Sequence, residues 1–104
     1  MNYPEKAKDW EGILCSSKYE FNDFPKGTKF IVLKKRKVKN QKLLTLINVP
    51  DFGDERVERI HKVPASFVRL LRKATEDEWM KVSAWLYARI LLKEKENEIM
   101  DKEE

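Results

Sequence analysis

The chain has 104 residues, of which 41% are hydrophobic and 38% charged, with a net charge of +4; that is enough for one core beneath a heavily solvated surface and leaves no room for a second domain. No apolar stretch approaches the roughly 18 residues of a membrane span, and Met1 to Trp10 is polar where a signal peptide is apolar, so the expected location is the cytoplasm, away from membranes. A single cysteine, Cys15, and a single histidine, His61, exclude an intramolecular disulfide and a zinc site of the usual ligand count.

Along the chain, Pro4 and Gly12 stand where the first-turn proline and the terminating glycine of a short helix over Pro4 to Glu11 would be. Ile13 to Cys15 reads as a strand. Ser16 to Lys26 reads as a long irregular loop whose three aromatics, Tyr19, Phe21 and Phe24, pack on the core. Thr28 to Lys35 and Leu43 to Val49 are β-branched and apolar, and the short polar connection between them makes a hairpin. Pro50, Asp51, Gly53 and Asp54 punctuate the chain before a fourth strand over Arg56 to Val63, and Pro64 separates it from a fifth over Phe67 to Leu71. Five short strands with turn signals between them predict a small barrel.

The end of the chain reads as a helix. Thr75 followed by Glu78 is a capping box, with Asp77 in the first turn, and no proline or glycine occurs from Thr75 to Glu104. Trp79, Val82, Leu86 and Ile90 share one face. Met80, Ala84, Trp85, Ala88, Leu91 and Leu92 widen the apolar surface beyond what one barrel face covers, which makes Trp85, Tyr87 and Leu91 candidates for contact with a protein partner or a second copy of the chain. The expected organisation is a single domain: an N-terminal segment over 1–12, a barrel over 13–72 and a C-terminal helix over 75–100.

Two stretches carry a family resemblance. Tyr19-Glu20-Phe21-Asn22-Asp23-Phe24-Pro25-Lys26-Gly27-Thr28-Lys29-Phe30-Ile31-Val32-Leu33 is similar to the Src-homology-3 pattern, in which an acidic, aromatic loop leads through Lys-Gly-Asp into the second strand. Val63-Pro64-Ala65-Ser66-Phe67-Val68-Arg69-Leu70-Leu71 resembles the segment that forms that family's 3₁₀ turn and last strand. The resemblance implies a mostly β fold, a small five-stranded Src-homology-3-like barrel followed by the long helix. It does not imply the family's peptide groove: Cys15 and Ser17 stand about where the first-strand tyrosines belong, Leu43-Leu44 replaces the tryptophan pair, Phe67 replaces the last tyrosine, and only Pro64 remains.

Charge supplies the sharpest candidate. Lys26 to Lys42 holds eight basic side chains and no acidic one, while Lys93 to Glu104 holds three basic and six acidic, so the chain has a positive and a negative pole. Lys34, Lys35, Arg36, Lys37 and Lys39 form a cluster suited to neutralising nucleic-acid phosphates without base readout, and Arg56, Arg59, Lys62, Arg69 and Arg72 extend it if they share its side. The bland alternative is a solvated hairpin. Asp51-Phe52-Gly53 copies a kinase tripeptide in a chain too short for a kinase, and Asp51, Asp54 and Glu55 lack the ligand spacing of a calcium loop. Cys15 and His61 form a catalytic dyad only if the fold brings them together; a small core cysteine and a half-exposed strand histidine are the plainer expectation. The expected function is a binding module with no catalytic residue, metal or cofactor, which contacts nucleic acid through the hairpin. The alternative is a protein-interaction or inhibitor module using the helix, of the kind found among small accessory proteins of phages or mobile elements.

Overall fold

A computed structural model describes residues 3–50 and 56–84. Five strands, β1 (Ile13–Ser17), β2 (Lys29–Val38), β3 (Gln41–Asn48), β4 (Arg59–Pro64) and β5 (Val68–Lys73), form one antiparallel sheet in the order β4-β3-β2-β1-β5. All five expected strands are present, with β2 and β3 reaching further toward each other than the expected loop allowed. Val38 pairs with Gln41, so the hairpin turn is only Lys39 and Asn40. Both have positive φ, 49° and 65°, as a two-residue turn matched to the strand twist requires.

The barrel expected from the resemblance is not closed: β4 and β5 are the two edges of the sheet and do not pair. The physical reason lies in their connection. The 3₁₀ turn Ala65–Phe67 carries the chain directly from one edge strand to the other without a ladder between them, and the turn itself is tied to the N-terminal segment and to the residue after β1. The Tyr3 hydroxyl donates to Ala65 O at 3.2 Å, and Lys18 N–H donates to Phe67 O at 2.8 Å. The N-terminal helix is likewise reduced to a 3₁₀ turn, Ala7–Trp10, whose start carries no side-chain cap. Gly12, at φ +84°, ends it in the left-handed conformation that glycine adopts without cost.

The sheet is buried on both sides. Its inner face holds one core with Trp10, Ile13, Cys15, Phe30, Leu46 and Val68 among its members, where the Trp10 indole donates to Pro4 O at 2.9 Å. Phe21 and Phe24 form a small bridge at the tip of the β1–β2 loop and both pack on Phe30, so the aromatic loop seals the core as expected. On the outer face, Leu14, Ile31 and Ile47 meet Val57 and Val82. Val82 lies on the helix α1, described over 76–84, and Trp79 packs on the same cluster. The capping box forms: Thr75 Oγ1 accepts from Glu78 N–H at 3.3 Å, and Thr75 N–H donates to Glu78 Oε1 at 2.8 Å. Residues 85–104, which include Trp85, Tyr87 and Leu91 of the expected helix, lie outside the described residues.

Candidate cationic face on the outer side of β2, β3 and β4

Strand pleating decides which basic residues work together, because successive side chains point to opposite faces. From Phe30 and Val32, which are buried in the inner core, unbroken alternation would place Lys34 and Arg36 inside and Lys35 and Lys37 outside. A register shift between Val32 and Lys34 reverses this. Lys34 pairs with Thr45 and Arg36 with Leu43, while Lys35 pairs with Leu44, a buried inner-core residue. Lys34 and Arg36 therefore share the outer face, and Lys35 and Lys37 the opposite one.

A second irregularity lies across β3. Leu44 pairs with Val63 and Leu46 with Ile60, so both His61 and Lys62 of β4 stand opposite Thr45. Lys62 takes φ +59° to do so. Two bulges thus flank one residue of β3 and turn cations from both neighbouring strands toward the same face, a re-aiming for which bulges are suited. The result is an open concavity of about 490 Å³ lined by Leu33, Lys34, Arg36, Thr45, Arg59 and His61. Among the described residues no acidic side chain lines it. Lys62 lines an adjoining concavity with Arg36 and His61.

The state of the arginines separates structural from available charge. Arg56 pairs with Glu58, donates to Asn22 O at 2.8 Å and lies 4.1 Å from the Phe24 ring centroid, so it pins the aromatic loop. Arg72 pairs with Glu78 at 2.7 Å. Arg36, Arg59 and Arg69 make no ion pair with a described residue, and each lines a surface concavity. Thr45 Oγ1 and His61 Nδ1 approach to 3.3 Å, which holds the imidazole against the sheet among the cations.

The five hairpin cations therefore form no single patch. Lys34 and Arg36 join Arg59 and His61, Lys35 and Lys37 lie on the other side, and Lys39 sits in the turn. Of the extensions considered from the sequence, Arg59 and Lys62 reach the face, Arg56 and Arg72 are engaged elsewhere, and Arg69 lies at the other edge of the sheet. Thr45 and His61 carried no phosphate-site signal in the sequence; only the alternation of Ile60 and Val63 with polar neighbours hinted that His61 faces outward.

The Cys15–His61 dyad does not form. Cys15 is fully buried in the inner core and His61 is exposed on the outer face. Burial pushes the Cys15 thiol up to about 12, which leaves negligible thiolate at neutral pH. Among the described residues no group of three or more metal-ligating side chains comes together, and no helix is long and apolar enough to cross a membrane. Asp51, Asp54 and Glu55 lie outside the described residues. The peptide-groove aromatics are mostly turned inward: Phe21 and Phe67 pack against the core, and Tyr19, 56% exposed, touches Phe67 edge-on. Comparison of the chain with protein-family models, with curated proteins and with solved structures returns no match.

Proposed function

We propose that this chain is a non-catalytic binding module of Src-homology-3-like topology that docks on the phosphate backbone of duplex nucleic acid with the outer face of β2, β3 and β4. The observation that carries this is the double bulge around Thr45, which gathers Lys34, Arg36, Arg59 and His61 over one concavity with no carboxylate among its described lining residues. Arginines that pair with no described carboxylate repel one another across the concavity, and a docked anion relieves that repulsion. The strand order and the 3₁₀ turn before β5 support the Src-homology-3-like relationship. The absence of exposed aromatic rings from the lining favours backbone contact over stacking on splayed bases.

The test is fluorescence anisotropy with two unrelated duplexes across a salt series. Similar affinity for both, with log K falling by about 0.9 per phosphate contact for each tenfold rise in salt, is the expected result. Arg59→Ala, remote in sequence from the hairpin, should weaken both complexes alike. Binding absent at low salt, or indifferent to Arg59, overturns the proposal.

A second reading, a protein partner or second copy held by α1, draws on Met80, which is 66% exposed on a helix whose Val82 is buried. Scattering at two concentrations tests it, and a strict monomer that captures no partner sinks it.

A further inference from the structure

We propose that a second concavity, at the opposite edge of the sheet, is a binding site for a phosphate group. It is about 370 Å³ in volume and is lined by Ser16, Ser17, Lys18, Lys26, Gly27 and Arg69. Ser16 pairs in register with Lys29 on one side and Arg69 on the other, so the site is built where β1 is flanked by β2 and β5. It shares no residue with the face around Thr45, and it stands whether or not that face binds nucleic acid.

Three features fit a phosphate. The first is charge: Lys18, Lys26 and Arg69 line one concavity with no acidic residue among its described lining, and none of the three pairs with a described carboxylate. A carboxylate is satisfied by one guanidinium, whereas three cations match the dianion of a phosphate monoester, with Arg supplying a planar fork and Lys point charges. The second is donors, since the Ser16 hydroxyl makes no hydrogen bond to a described residue and adds a neutral donor beside Arg69.

The third is rigidity. The loop end that carries Lys26 is latched to β1 several times. Ser17 Oγ donates to Pro25 O at 3.1 Å and accepts from Thr28 N–H at 3.2 Å, Gly27 N–H donates to Ser17 O at 2.9 Å, and Thr28 Oγ1 donates to Pro25 O at 2.6 Å. Lys18 is held from the other side through its own N–H on Phe67 O. Gly27 has φ +88°, and a Cβ there would meet nothing within 4 Å, so glycine serves the backbone turn while the space above it stays open. Cations fixed on a latched frame lose little conformational freedom when a ligand arrives.

Amide chemical-shift titration of the full chain with inorganic phosphate, adenosine 5′-monophosphate, adenosine and a short duplex tests the site. Phosphate and the monophosphate should shift the Ser16, Lys18, Gly27 and Arg69 amides saturably, and adenosine should not. Arg69→Gln should weaken the monophosphate by roughly tenfold, and Lys37→Gln, on the opposite face of the sheet, should leave it unchanged. Lys26→Gln gives the same readout from a loop residue if Arg69→Gln fails to fold. A duplex that shifts these amides and competes with phosphate identifies nucleic-acid backbone as the source; a duplex that leaves them unmoved while the monophosphate saturates identifies a small phosphorylated molecule. Shifts that rise linearly without saturation, spread evenly over the lysines, or survive in both Arg69→Gln and Lys26→Gln overturn the proposal.

Discussion

Two double variants of equal charge separate the cationic face from mere basicity. Lys34→Ala with Arg36→Ala removes two cations from the outer face, and Lys35→Ala with Lys37→Ala removes two from the opposite face, because the bulge between Val32 and Lys34 sets the parity of the strand. Each phosphate contact contributes about 0.9 to the slope of log K against log salt, which at 0.1 M salt is about eightfold in affinity. The first pair should therefore lose about 60-fold and shrink the slope by about 1.8. The second should stay within about twofold, and both should unfold near the parent, since Lys34, Arg36 and Lys37 are exposed and Lys35 is only half-buried. Anisotropy over a salt series reads both numbers, and denaturant unfolding checks the fold. Equal losses in the two variants would show that net charge alone drives binding, and a larger loss from Lys35 and Lys37 would move the site to the other side of the sheet.

Glu78 tests the helix start through pH. The Arg72 guanidinium foremost, opposed by desolvation and then helped by the Thr75 amide and hydroxyl, holds its carboxyl down to about 2 from an ordinary 4.5; this stabilisation is present above pH 4.5, fades as pH falls toward 2, and amounts to about 1 kcal/mol once its half-exposed partner is allowed for. The stability gap between the parent and Glu78→Gln should thus narrow between pH 7 and pH 2.5 in denaturant titrations, and a constant gap would disconnect it from ionisation. Trp10→Ala should cost about 3–5 kcal/mol, because it empties the centre of the inner core and frees the Tyr3 ring that packs 5.0 Å away; a small loss in thermal unfolding would mean that the N-terminal segment does not close the sheet. Cys15 should react with a thiol reagent only at the rate of global unfolding, and rapid labelling in native buffer would contradict its burial.

Local patterns that rest on a few neighbouring residues were legible. Thr75 and Glu78 announce a cap three residues apart, and the structure forms both of its hydrogen bonds. Of the three loop aromatics expected on the core, Phe21 and Phe24 pack there, while Tyr19 is 56% exposed. What lay hidden depends on register. Thr45 looks like an ordinary strand residue until Lys34 and His61 are brought opposite it from strands on either side, and a one-residue shift exchanges the inward and outward sets. The open edge was equally illegible, since whether β4 and β5 pair depends on how sharply Ala65–Phe67 turns the chain and on whether Tyr3, far away in sequence, reaches Ala65.

The irregularity of the sheet acts on both of its faces. Leu44 and Leu46 of β3 alternate strictly with Leu43, Thr45 and Ile47, and Phe30, Val32, Ile60 and Val63 meet them in the inner core. Holding Ile60 and Val63 both inward puts two residues between them, and a lysine in the left-handed conformation costs on the order of 1 kcal/mol there. In the inner core that cost keeps both apolar side chains buried. Its second effect appears on the other face, where His61 and Lys62 turn toward Arg36. A left-handed lysine at a solvent-facing bulge, beside arginines that pair with no described carboxylate, fits the proposed anion-binding surface, and it is why the proposal rests on the face around Thr45 more than on the lysine-rich hairpin as a whole.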